Sequence, residues 1–563
     1  MGARAHPTVA CRRLLLFLAL LLAGLAPTAA GAPAADHLSG AQVAKQIKKV
    51  LDRPGHPPGF WGVSVMDVQK GTSLYAWNER RLFVPASIQK LLTGYAAWRT
   101  FGPDHRFRTE IATTGRLDKD GTLRGPLIIR GGGDPSWSFR FFEDDPARPV
   151  QSFVLELLRR TGIRKVEGDV IGDATAQLDE PYGPDWSWEE FQWAYGAKVS
   201  ALALNDGIME LRITPGEPGQ PPQIEAVPAF LQSQVRNLAV TARSAGADDL
   251  IVYKPFDTDE FIVSGRFPSG ASRRVLRVAV SDPALTAARW IRDELLRLGV
   301  PVSGGAGARY RRAYLPDAPP PEPGTRLAVI EGQPLEQILV PVMERSINNY
   351  AEVLLRNLAR GQVPPESTDR EAGIQAVYGL WPQLMEPRQN IAMADGSGLS
   401  RRNLVTPRLM TDWLCLIATA PDFERFAALL PEAGREGTLK YRLNGRTAGN
   451  VLAKTGRLST VVSMAGYVRT ASRRLVAFCV IVKTSRRETT RPRPSSTKSS
   501  RFCTGIDRST RHSHRRKKRP DPRWDPDLGG SCRHVLTIGD MPGGRSLVPE
   551  CAATRGGRKR AGS

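Results

Sequence analysis

With 563 residues, 41% of them hydrophobic, the chain is long enough for more than one domain and has the composition of globular protein. Its formal charge of +23 is uneven: from Ser485 onward 20 basic side chains stand against 7 acidic ones, so the rest of the surface is only mildly basic. The six cysteines include no Cys-x-x-Cys pair and no His-Glu-x-x-His occurs, so neither a disulfide scaffold nor a zinc site is predicted, and no metal or cofactor is implied.

In chain order, residues 1–35 read as a secretory signal. Arg12 and Arg13 precede an uninterrupted apolar run over 14–25, followed by small residues at Thr28, Ala29, Ala30 and Ala32. The run is short of the roughly 20 apolar residues that a membrane helix needs. A protein secreted across the cytoplasmic membrane into the periplasm or cell-wall space is expected, in peripheral contact with the membrane at most. A helix is predicted over 42–51, two strands over 60–67 and 73–77, and a helix over 87–98 with Pro85 just ahead of it. Apolar residues surround that last helix, which marks it as buried and central.

From 107 to 328 short β-like runs recur at 127–130, 166–172, 209–214, 261–265 and 275–281, with one helix at 283–298. This reads as a large, mostly β insertion of two modules, with 316–323 a Pro-rich linker back. Helical patterns resume at 335–345, 349–360, 369–380, 407–418 and 423–430, and strands close the domain at 450–454, 461–469 and 474–483. The predicted fold is α+β: an antiparallel sheet flanked by helices, built from 36–106 and 329–484 and interrupted by 107–328. Cys415 and Cys479 fall in apolar patterns and read as buried free thiols. Residues 485–563 form a basic low-complexity tail, with too little apolar content to offset the entropy of ordering. A polybasic arm that grips anionic wall polymer is the alternative reading of that tail; no nucleic-acid partner is expected.

Three short motifs occur in order: Ser87-Ile88-Gln89-Lys90, Ser346-Ile347-Asn348 and Lys454-Thr455-Gly456. Each alone is weak; a second Ser-x-x-Lys stands at Ser495–Lys498 in the tail. Ser87 and Lys90, three apart at the start of a helix, share one face. A serine hydroxyl needs an adjacent base, and a lysine shielded from water can lose its proton near neutral pH. Ser346 can relay a proton and Asn348 hold a carbonyl, although Ser346 could equally cap the following helix. Lys454 and Thr455 offer a carboxylate-binding pair, Gly456 lets a peptide backbone approach, and the N–H groups of Ser87 and Arg457 can stabilise an oxyanion. Between residues 57 and 484 the sole histidine is His105, which argues against a Ser-His-Asp triad.

Together these motifs resemble the set of penicillin-binding proteins and serine β-lactamases. Ser87 and Ser346 lie 259 residues apart, far more than one helical subdomain needs. With Gly131-Gly132-Gly133-Asp134-Pro135, Gly168-Asp169-Val170, Val199-Ser200-Ala201-Leu202 and Asp395-Gly396-Ser397-Gly398-Leu399-Ser400-Arg401, the chain resembles D-alanyl-D-alanine carboxypeptidase/endopeptidases of the PBP4 type, peptidase family S13, over 42–483. That resemblance implies a penicillin-binding/serine β-lactamase-like domain carrying a two-module insertion. It implies a serine acyl-enzyme acting on peptidoglycan stem peptides, with β-lactams as covalent inhibitors. Catalytic roles fall to Ser87, Lys90, Ser346 and Asn348, and substrate binding to Lys454, Thr455, Gly456 and Arg457. Asp173 and Arg401 are further candidates for charged groups that read the stem peptide. A β-lactamase or esterase on the same scaffold, or a non-catalytic wall-binding protein, are the alternatives. Members of this family end in a short helix packed on the sheet, which the tail does not show; a reading-frame change produces an abrupt switch of this kind.

Overall fold

The computed structural model describes residues 40–484, apart from breaks at 53–58, 245, 247, 257, 313–321, 323, 360–362, 365–366, 386–387 and 471–472. The signal, the tail and most of the Pro-rich linker thus lie outside the described residues.

The final strand, Leu475–Thr484, explains the architecture. Its side chains alternate between two cores: Leu475, Ala477, Cys479 and Ile481 enter one, and Val476, Phe478, Val480 and Val482 the other. A strand buried on both faces reads as a continuous apolar run, as this one does. It lies at the centre of a five-stranded sheet in the order Val451–Arg457, Val461–Arg469, Leu475–Thr484, Gly59–Asp67, Thr72–Trp77, every neighbouring pair antiparallel. One face is covered by the helix Gly40–Leu51 through Val43, Ile47 and Val50. The other carries the larger core, where Lys90–Phe101, Leu335–Glu344, Asn348–Leu358 and Pro407–Ala418 meet. Each fully buried Val, Leu, Ile or Phe in either core contributes about 1.5–3 kcal/mol, so Val480→Asp would lose that packing and bury an unpaired charge.

The helix Lys90–Phe101 is buried over nine consecutive residues, from Lys90 to Trp98. Gly94 lets Leu335–Glu344 approach it: a Cβ there would lie 2.4 Å from Met343 Cε. Pro85 and the 3₁₀ turn Ala86–Gln89 open the helix, and Ala86 sits at φ 52°, a costly left-handed conformation for a residue with a side chain.

The chain leaves this domain and returns along one sheet. Arg106–Thr113 pairs antiparallel with Thr325–Pro334, and the order continues through Leu127–Arg130 and Val170–Asp179 to Ala306–Arg312. Two helices cover it, Ala147–Thr161 and Pro283–Arg297. The sequence reading found only the second; Val150, Phe153, Val154 and Leu157 at helical spacing carried the signal for the first. The run 166–172 is not one strand. It breaks at Gly168, which packs on the Gly125 carbonyl, and Asp169, which accepts from Gly305 N–H at 2.7 Å. Residues 208–279 form a separate core of two three-stranded sheets. No helix of the described residues is long and apolar enough to cross a membrane. Cys415 and Cys479 are free thiols, Cys479 buried, and burial pushes the Cys415 thiol up to about 11.

Candidate active site

The 3₁₀ turn brings Ser87 to the surface of the core, half-buried, with Lys90 directly beneath it and fully buried. Lys90 Nζ lies 3.1 Å from Ser87 Oγ, 2.7 Å from Asn348 Oδ1 and 2.6 Å from the Ser397 carbonyl. A neutral amine has two N–H donors and one lone pair. With the amide and the carbonyl taking the donors, the lone pair faces the serine hydroxyl. Burial lowers Lys90 from 10.5 to about 7, against the opposing pull of the Asp395 and Glu352 charges. The base form is therefore populated near neutral pH.

Ser346 occupies a left-handed position, φ 61°, between two helices. The cap of the helix Asn348–Leu358 is Ile347, with no side-chain cap bond, so Ser346 is not held there as a cap. Its Oγ instead accepts from Lys454 Nζ at 2.9 Å, and Lys454 also donates to the Thr455 carbonyl. Burial, then the charge of Lys90, hold the Lys454 ammonium well below the usual lysine range. Thr455 Oγ1 pairs with Thr438 Oγ1 at 2.8 Å. Arg457, exposed, ends the same edge strand.

Gly456 places its backbone against Ser87. A Cβ there would lie 2.2 Å from Ser463 Oγ, 2.8 Å from Ser87 N and 3.0 Å from the Pro85 carbonyl. Ser463 cannot easily swing away, because it donates to that carbonyl at 2.6 Å. Gly456→Ala is therefore expected to slow acylation by a fluorescent penicillin by about 10²-fold through misplacement of the Ser87 turn.

Loop 395–401 forms the wall behind Lys90. Asp395, fully buried, accepts from Gly398 N–H (2.8 Å), Ser400 N–H (2.6 Å), Asn403 Nδ2 (2.7 Å) and Trp186 Nε1 (2.9 Å). Gly398 packs on the Ala86 carbonyl, where a Cβ would come within 1.9 Å. Glu352 holds Gly396 N–H (3.0 Å) and Ser397 N–H (2.8 Å) and pairs with Arg356 at 3.2 Å. Burial, then the Asp395 charge, push Glu352 up to about 7 against the pull of Arg356.

Glu352 and Trp186 escaped the sequence reading, and Asp395 entered it only as part of the Asp395–Arg401 segment. Glu352 and Arg356, four apart as the two charged residues of the helix Asn348–Leu358, were the available signal. Trp186 had none, because its partner is 209 residues away. The structure joins Ser87, Lys90, Ser346, Asn348, Lys454, Thr455 and Gly456. Arg401 is half-exposed and meets Glu190 of the insertion at 3.5 Å; burial raises Glu190 above the usual carboxylate range, against its Ser187 and Arg401 partners. Asp173 is not available to substrate. It is fully buried in the strand Val170–Asp179, and its carboxylate is taken by Thr175 N–H and Oγ1 and by Arg130 Nε at 3.2 Å. Its local sequence gave no hint of that burial.

The family model described as D-Ala-D-Ala carboxypeptidase 3 (S13) matches residues 43–498. The chain belongs to the S13 family. A D-alanyl-D-alanine carboxypeptidase of Actinomadura sp. (strain R39) is 32% identical over 451 residues, covering 77% of this chain and 80% of that protein. The D-alanyl-D-alanine carboxypeptidase DacB of Haemophilus influenzae is 28% identical, covering 74% and 84%. Among solved structures, penicillin binding protein 4 (dacB) of H. influenzae superposes with a TM-score of 0.66 at 27% identity, covering 78% of this chain and 94% of that one. A second structure of that protein, in complex with a novel β-lactam, gives a TM-score of 0.61 at 26% identity, covering 76% and 91%. The S13 fold is thus the α+β architecture expected, an antiparallel sheet flanked by helices and carrying a large insertion.

Proposed function

We propose that this S13 peptidase hydrolyses the terminal D-alanyl-D-alanine bond of peptidoglycan stem peptides through an acyl-enzyme on Ser87, and cleaves interpeptide cross-links by the same chemistry. The observation that carries the reading is Lys90, buried and shared between Ser87, Asn348 and the Ser397 carbonyl. The substrate carboxylate docks on Lys454 and Thr455 at the sheet edge, and the peptide lies along Gly456 and Arg457. Ser87 Oγ gives its proton to Lys90 and attacks the penultimate carbonyl, whose oxygen is met by the N–H groups of Ser87 and Arg457. Ser346 passes a proton to the departing amine, Asn348 orients the acyl chain, and water releases it. A β-lactam acylates the same oxygen. The signal-like segment 1–35 supports work outside the cytoplasmic membrane, in the periplasm or cell-wall space.

Glu352, the carboxylate nearest after Asn348 in sequence, is spent on Gly396, Ser397 and Arg356. It is not free to activate a deacylating water, which favours a slowly released penicillin adduct over β-lactamase turnover. Incubation with penicillin followed by mass spectrometry should give one adduct, on the tryptic peptide that contains Ser87. Steady rapid turnover of a chromogenic cephalosporin would instead favour the lactamase, and no adduct the non-catalytic wall-binding reading.

Arg401 and Glu190 flank the site as a charged pair suited to a polar stem-peptide side chain. Arg401→Ala is expected to lower kcat/KM about tenfold for a peptide with a diamino acid at the third position, the loss of one charged hydrogen bond. A short neutral ester should be cleaved as before; equal loss on both substrates would remove Arg401 from that role.

A further inference from the structure

Lys90 has two acceptors besides the nucleophile, and one segment of the insertion secures both. The first is Asn348 Oδ1. A carboxamide can turn over and present its NH2 group instead, which would meet Lys90 donor to donor. Here Asn348 Nδ2 donates to the Tyr195 carbonyl at 2.8 Å, which fixes the oxygen toward Lys90. The neighbouring Asn349 Nδ2 donates to the Lys198 carbonyl at 3.0 Å, a second tie between the same two segments. The other acceptor is the Ser397 carbonyl. Its turn is wound around Asp395, one of whose four donors is Trp186 Nε1. Trp186 is buried against Val199, Val353 and Leu399. Trp186 and Tyr195 lie nine residues apart in one stretch of the insertion, and Glu190, the partner of Arg401, lies between them.

We propose that the insertion's segment from Trp186 to Lys198 is a positioning device for Lys90, so that groups seated on this segment speed acylation of Ser87. The proposal rests on the reading of Ser87 and Lys90 as nucleophile and base. None of the bonds described reaches Ser87 itself. A peptide side chain that engages Glu190 or Arg401 braces the segment, and the contact is realised as a faster chemical step rather than as tighter binding alone. Trp186 and Asn349 are positioning residues in this scheme; neither touches the reacting atoms.

The electrostatics give the device a signature. Lys90 is faced by Asp395 and Glu352, which favour its charged form, by Lys454, which opposes it, and by the neutral Ser87, Asn348 and Ser397; Arg356 stands behind Glu352. Loss of the Trp186 N–H leaves the Asp395 charge less countered and raises the proton affinity of Lys90. Stopped-flow acylation of the full chain by a fluorescent penicillin separates the chemical step from the half-saturating concentration. Trp186→Phe is expected to slow the chemical step about tenfold, to leave half-saturation within about twofold, and to move the acidic limb to higher pH. Asn349→Leu, which spares the buried aromatic, should slow the same step without moving the limb. Both variants should still label Ser87 to completion. If both acylate at the wild-type rate, or lose only thermal stability, the segment is merely structural and the inference falls. If wild-type protein carries its adduct away from Ser87, the functional reading fails first and the inference with it.

Discussion

Ser87→Ala is expected to abolish covalent labelling by penicillin and to lower turnover of a D-Ala-D-Ala peptide by about 10³-fold or more, as loss of other nucleophiles does. The effect should be confined to chemistry. Ser87 is half-buried and its Oγ bonds Lys90 Nζ at 3.1 Å, so the thermal midpoint should hardly move. The variant also separates Ser87 from Ser495, whose Ser-x-x-Lys lies in the tail outside the described residues. Peptide mapping of the wild-type adduct and its disappearance in the variant are the two measurements. A labelled Ser87→Ala protein would overturn the assignment. Retained binding of a D-Ala-D-Ala peptide with turnover gone would show that Lys454, Thr455 and the sheet edge still dock substrate.

The elements that build the catalytic sheet and its helices were legible because their patterns are local. The strand Leu475–Thr484 is apolar from Leu475 to Val482 because both faces are covered, and Pro407–Ala418 announces itself by Pro407 at its first position and Thr406 as cap. The three motifs were legible for a different reason: each packs its chemistry into three or four residues. What escaped was chemistry assembled across the chain. Trp186 and Asp395, Glu190 and Arg401, and Tyr195 and Asn348 meet only because the insertion folds back on the helix Asn348–Leu358. Asp173 misled because an aspartate is rarely fully buried, whereas its strand is a central one of its sheet, with neighbours on both sides. The helix Ala147–Thr161 was periodic enough to find, but its charged face of arginines and Glu156 masked four apolar positions.

Lys90→Met is expected to reduce penicillin acylation by about 10³-fold while leaving a folded protein, because it removes the base without removing the volume. Two opposing terms decide stability. The change leaves Asn348 Oδ1 and the Ser397 carbonyl without their donor, at about 1–3 kcal/mol for each buried acceptor. It also relieves the desolvation of a fully buried amine beside Lys454, the cause of the low proton affinity of both. The net change in thermal midpoint should therefore be small, and the kinetic loss large. The pH dependence follows from the same burial. With Lys90 as the proposed base, acylation needs its neutral form, so the wild-type rate should rise with pH through about 7 and level off above, where the amine is free to accept the serine proton. In Lys90→Met that limb should vanish, and the residual slow reaction should lose its dependence on this group. A limb at about 7 that survives the substitution would assign it to Glu352, which burial and Asp395 push to the same range, and would take the role of general base away from Lys90.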